Sequence, residues 1–153
     1  MEIDINRYQE IRALVAGCIY LLGSSDPFKI CKLLDIKIQT VPLSLGLYGF
    51  SDVCSNSGYT KASIFLSDKL TSYARKIVCA HELGHILSHK KDRLNLFDLE
   101  NPVDSIAEYE ANIFAIELMP QIYRGHKNYL DLSCSELANY MDEKIKSTYM
   151  ISL

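Results

Sequence analysis

The sequence predicts a single α+β domain, rich in helix, with a small antiparallel sheet. Three observations carry that expectation. The chain has 153 residues, the length of one ordinary domain able to bury a core without staples. Apolar residues recur at helical spacing near both ends and in the middle. Between them lie short stretches that alternate or run apolar as strands do. With 48% hydrophobic and 23% charged residues and a net charge of −3, the composition excludes a disordered polyelectrolyte and argues against a dedicated nucleic-acid binder.

The elements follow in order. Ile5, Tyr8, Ile11, Val15, Cys18, Ile19 and Leu22 share a helical period that Gly23 ends as a C-cap. Asp26-Pro27 supplies an N-cap and a first-turn proline for a short helix to about Leu34. Ile36, Ile38 and Thr40 alternate with polar neighbours in a strand stopped by Pro42, whereas residues 47–54 are ambiguous. Ser55-Asn56-Ser57-Gly58 is a turn, and residues 59–67 form a second strand. A helix is expected over 71–88 and a polar loop over 90–100. Asn101-Pro102 opens another helix that runs to Met119 and is stopped by Pro120. The tail from about Ser133 reads as two short helices joined near Asp142. No repeat or linker divides the chain, so residues 1–153 are read as one domain, its core at about 10–125 and a helical tail at about 130–153.

Five cysteines, Cys18, Cys31, Cys54, Cys79 and Cys134, contain no C-x-x-C pair. Scattered thiols suit a reducing compartment. The acidic start, Met1-Glu2-Ile3-Asp4, is unlike a signal peptide, and the most apolar early stretch is about half a membrane span. The expectation is a cytoplasmic protein without membrane attachment.

Three of the four histidines fall within nine residues, and two of them frame His81-Glu82-Leu83-Gly84-His85. On a helix, residues four apart lie on one face, so His81 and His85 can hold one zinc ion between them. Glu82 stands about 100° around the helix, off the ion but near water activated there, as a general base must be. The competing reading is two core histidines that hydrogen-bond their neighbours. Gly84 costs about 1 kcal/mol relative to alanine inside a helix, a cost more readily tolerated where another backbone must come close. Cys79 lies two residues before His81 and faces elsewhere.

A catalytic zinc needs a third protein ligand and an open position. His89 lies eight residues beyond His81, a rise of about 12 Å on a continuous helix, and is expected to serve the helix C-terminus instead. Glu108 and Glu110 stand about 200° apart on the next helix, so both cannot face the histidines. Ser105 and Glu108 have capping-box spacing. Glu110 is bordered by Ile106, Ile113 and Phe114, where a carboxylate needs a cation or donors. Glu110 is therefore the expected third ligand, with Glu108 as the alternative. Glu117 is expected to be solvated or to support the ligands from behind.

Taken together, His81-Glu-Leu-Gly-His85, Glu108-Tyr-Glu-Ala-Asn112, Phe114-Ala115 and Glu117-Leu-Met-Pro120 resemble the ImmA/IrrE family of metallopeptidases. Tyr48-Gly49 and the strand at 62–67 extend the likeness upstream, over about residues 10–125. The resemblance implies a zincin-like fold, with Zn2+ held by His81, His85 and Glu110, and Glu82 as catalytic base. It further implies an intracellular protease, of phage, mobile-element or stress-response origin, that cleaves a helix-turn-helix repressor to release transcription. An extended substrate is expected to add to the strand at 62–67, against Ile64, Phe65 and Leu66. Tyr48, Tyr59, Tyr109 and His126 remain open as oxyanion-stabilising groups. The tail mimics a helix-turn-helix in outline, but its lack of basic excess points away from direct DNA binding. The alternative function is a metal-binding regulatory module that recognises a repressor or another protein without cutting it.

Overall fold

The computed structural model describes residues 2–56, 58–88 and 105–150. Among them, helices α1 (Ile5–Leu22) and α2 (Pro27–Leu33) precede strands β1 (Lys37–Val41), β2 (Gly49–Asn56) and β3 (Tyr59–Ser67). Helices α3 (Ser72–Ser88), α4 (Ser105–Leu118) and α5 (Cys134–Met150) follow, with 3-10 turns at Pro120–Ile122 and Tyr129–Asp131 between the last two. The α+β class and its helical weight are as expected. None of the described helices is long and apolar enough to cross a membrane.

Local chemistry sets the boundaries. Asp4 accepts from the backbone N–H groups of Asn6 and Arg7 at the start of α1, and Gly23 ends it at φ 69°. Asp26 caps α2 ahead of Pro27. Thr71 accepts from the Ala74 N–H at the entry to α3. At α5, Ser133 Oγ accepts from the Glu136 N–H while the Glu136 carboxylate accepts from the Ser133 N–H. That reciprocal pair is a capping box, at a Ser-x-x-Glu separate from the one at 105–108.

The sheet corrects one expectation. Its order is β1-β3-β2, with β2 antiparallel to β3 but β1 parallel to it. The ambiguous segment after Pro42 is the missing strand. The chain reverses into β2 and again into β3, so β1 and β3 point the same way. A second correction concerns the tail, where α5 runs unbroken through Asp142, whose carboxylate pairs with Lys146 one turn on at 2.8 Å. The expected loop at 90–100 and the helix start at Asn101-Pro102 lie outside the described residues, as does His89.

Helix α3 is the hub. Its Ala74, Ile77, Val78, Cys79, Ala80, Leu83 and Ile86 are buried, against the sheet on one side and α4 on the other. Ile64 and Leu66 of β3 are fully buried beneath it. Phe114 of α4 is fully buried too, and burial of such a side chain contributes about 1.5–3 kcal/mol. Gly84 makes that packing possible: a Cβ there would lie 2.9 Å from Phe114 Cβ. The close approach suggested by the sequence is a side chain set into the glycine notch. Gly49 repeats the device, since a Cβ at the start of β2 would meet Phe65 O at 2.7 Å and Val78 Cγ1 at 2.8 Å. Both glycines hold neighbours close to the histidine-bearing turns of α3.

Candidate metal centre

His81 and His85 stand one turn apart on α3 with their Nε2 atoms 3.1 Å apart and their rings edge to face. Glu108, in the first turn of α4, closes the group. Its Oε2 lies 2.9 Å from His81 Nε2 and its Oε1 2.9 Å from His85 Nε2. One turn further along α4, the buried Asn112 places Oδ1 2.7 Å from His81 Nδ1. With Nδ1–H donating to that oxygen, neutral His81 presents its Nε2 lone pair to the cluster.

Three lone-pair-bearing side chains this close need positive charge between them, from a proton or a cation. Burial disfavours a charged His81, but the Glu108 carboxylate, with Glu82 and Asn112 contributing less, outweighs it and raises the pKa to about 9. Burial also works against a charged Glu108, and the two histidines override it, holding the carboxyl well below its usual range. The donor set fits a metal as well. Ligand atoms on a tetrahedral zinc with bonds of 2.0–2.1 Å stand about 3.3 Å apart, slightly wider than the 2.9–3.1 Å found here. His81, His85 and Glu108 could therefore hold a metal ion.

Glu110 does not join them. Its carboxylate accepts two hydrogen bonds from Arg7 of α1, Nε to Oε1 and Nη2 to Oε2, both at 3.0 Å. A carboxylate buried there needs a cation, and the Arg7 guanidinium supplies it. Of the two carboxylates considered, the structure places Glu108, the alternative on the opposite face of the helical wheel, beside the histidines, and Glu110 away from them. Glu117 is part-buried and held by two tyrosines. It accepts from Tyr8 at 2.7 Å and from Tyr129, tying α1 and the second 3-10 turn to α4.

Glu82 is buried at 8% exposure, lines the same cleft as His81 and Glu108, and has no hydrogen-bond partner among the described residues. The cleft, about 380 Å³, runs between Gly46–Gly49 and α5, whose Ala138, Met141, Asp142 and Ile145 form its far wall. Tyr48 donates to Asp142 Oδ1 at 2.7 Å across it. Of the four oxyanion candidates, Tyr48 lies at the cleft and Tyr109 is buried with its hydroxyl on the Leu132 carbonyl at 3.2 Å. Tyr59 pairs with Asn56 at the far end of the β2–β3 hairpin.

Ile64, Phe65 and Leu66 are not a docking edge. β3 is the central strand, bonded to β1 and β2 over 63–66, with Ile64 and Leu66 fully buried and Phe65 stacked on Phe50. The apolar alternation read as an edge belongs to a core strand. Behind the site, Cys79 Sγ lies 3.9 Å from Cys31 Sγ, with both residues fully buried. That contact, and then burial, push the Cys79 thiol pKa strongly upward.

Sequence reasoning missed Arg7, Asn112 as a partner of His81, and the α5 wall. Only Asn112 carried a signal, its place four residues after Glu108 on the same helical face.

Fold and donor set together define a helix-rich α+β domain built on one candidate metal centre. A family model described as the IrrE N-terminal-like domain, peptidase M78, matches residues 31–121, and the chain belongs to that metal-dependent peptidase family. The match includes α3 and α4 and leaves α1 and α5 outside. No curated protein and no solved structure matches the chain.

Proposed function

We propose that this chain is a zinc-dependent endopeptidase whose ion is held by His81, His85 and Glu108. The observation that carries the reading is the convergence of those three side chains, from two helices, beside a buried carboxylate that has no hydrogen-bond partner among the described residues. Zinc, when bound there, supplies Lewis-acid activation of water and of a peptide carbonyl. Glu82 takes the proton from the attacking water and returns it to the departing amine. Asn112 holds His81 in the tautomer that leaves Nε2 free. Among the described residues β2 pairs with β3 alone, and its first residue, Gly49, lines the cleft. An extended peptide adds to that edge, with Leu47, Ile77, Val78 and Met141 receiving an apolar side chain beside the scissile bond.

The proposed substrate is a helix-turn-helix repressor, a class supported by the family resemblance, and the proposed setting is the cytoplasm. The test is co-expression with candidate helix-turn-helix repressors, followed by mass spectrometry of fragments, with Glu82→Gln in parallel. Wild type is expected to cut at one site, and Glu82→Gln to cut at least about 100-fold more slowly with zinc still bound. Equal cutting by both removes Glu82 from the chemistry. Zinc-dependent repressor binding without cutting supports the regulatory module instead.

A further inference from the structure

Arg7 is placed to govern the metal centre from outside it. Its guanidinium makes four contacts from α1: Nε and Nη2 to the two oxygens of Glu110, Nη2 to the Ser88 carbonyl at 3.1 Å, and Nη1 to Glu10 at 2.8 Å. Two of those partners bracket the centre. Ser88 is the last residue of α3, three beyond His85, and Glu110 follows Glu108 by two on α4. One planar, forked cation thus joins the two ligand-bearing helices at the level of their ligands. Arg7 lies before residues 31–121, outside the stretch the family model matches.

From this geometry we infer that Arg7 is a positioning residue for the metal, setting the register of α4 against α3 so that Glu108 reaches both histidines. The inference rests on the metal reading above. A bidentate guanidinium fixes distance and plane together, and lysine, a point charge, fixes neither. The register matters because Glu108 must present one oxygen to each histidine at 2.9 Å. Rotation of α4 about its axis would carry that carboxylate off the α3 face, and the Arg7 fork on the opposite side of the helix opposes it. Glu110 therefore contributes through the opposite face of its helix, and α1 is a part of the site.

The experiment measures zinc affinity by competition with a chromophoric chelator, beside circular dichroism and unfolding of the metal-free full chain. Arg7→Gln is expected to retain its helix content yet bind zinc about 10–100-fold more weakly, the usual cost of removing a group that supports a ligand. Arg7→Lys is expected to fall between. In the double variant Arg7→Gln, Glu110→Gln the buried carboxylate charge that Arg7 neutralised is removed as well, so metal-free stability recovers while zinc affinity stays low. Wild-type affinity in Arg7→Gln, or affinity that returns together with stability in the double variant, overturns the inference and leaves Arg7 a structural ion pair. If Arg7→Gln does not fold, Arg7→Lys decides by the same criterion. A wild-type chain that binds no zinc overturns the metal reading and this inference with it.

Discussion

The two faces of α4 put neighbouring carboxylates to different uses. Glu108 faces α3 and meets two imidazoles, groups that can release their protons and accept a metal in exchange. Glu110 faces α1 and meets a guanidinium that never gives up its charge. Glu108 is more than a third exposed and opens on a cleft, whereas the Glu110 side chain is 7% exposed. The lesson is that burial of a carboxylate reports only that a cation is near. A ligand is marked by partners whose positive charge is exchangeable and by access from solvent.

The sharpest way to break this comparison is to remove each carboxylate in turn. Glu108→Ala is expected to weaken zinc binding by more than about 100-fold, beyond the range for a supporting group. Equilibrium dialysis followed by metal analysis checks this, and undiminished zinc content would return the third-ligand role to another residue.

The next largest effect is on pH dependence. In the metal-free protein His81 has its pKa raised from 6.5 to about 9 by its carboxylate partner, while Glu108 is depressed below its ordinary 4.5. The stabilisation is complete between about pH 4.5 and 6.5 and is lost as pH rises through 9. It is equally lost as pH falls below about 4.5 and Glu108 takes up its proton. Thermal unfolding in chelator should therefore show maximum stability between those limits. Zinc reverses the upper limb, because a ligating imidazole must be neutral, so affinity rises with pH through the same range. A metal-free unfolding temperature that is flat from pH 6 to 9 would contradict the His81–Glu108 pairing.

Glu110→Gln should lower metal-free stability by about 2 kcal/mol, the cost of losing charged hydrogen bonds to a partly solvated arginine. Urea unfolding with chelator present measures it. The smallest expected effect is at the glycine notch. Gly84→Ala gains helix propensity but forces Phe114 away, for a net loss of about 1 kcal/mol. An increase in stability would mean that α3 and α4 can separate freely.

Much of this was legible in the chain. Asp26-Pro27, Gly23 and the period of 71–88 act within a few residues, so α1, α2 and α3 were placed closely. The pair His81 and His85, with Glu82 turned aside, followed from helical geometry alone. What was not legible depended on distant partners. Glu110 was chosen by a sound desolvation argument, but its cation lies 103 residues away on α1. Gly49–Asn56 lacks a clean alternation, and a strand the pattern does not reveal inverts the direction of its neighbour, so the parallel pairing of β1 with β3 is invisible in sequence. β3 was mistaken for an edge because alternation in sequence cannot say how many neighbours a strand has.

The buried contact between Cys79 and Cys31 bears on what the centre retains. A thiolate two residues from the first histidine would be a strong ligand for a soft cation and could fill the vacancy a substrate needs. Burial and the facing sulfur keep that thiol protonated and turned away. An ion held as proposed by His81, His85 and Glu108, with that thiol kept out of reach, would remain exchangeable on its open side, which favours turnover over permanent capture.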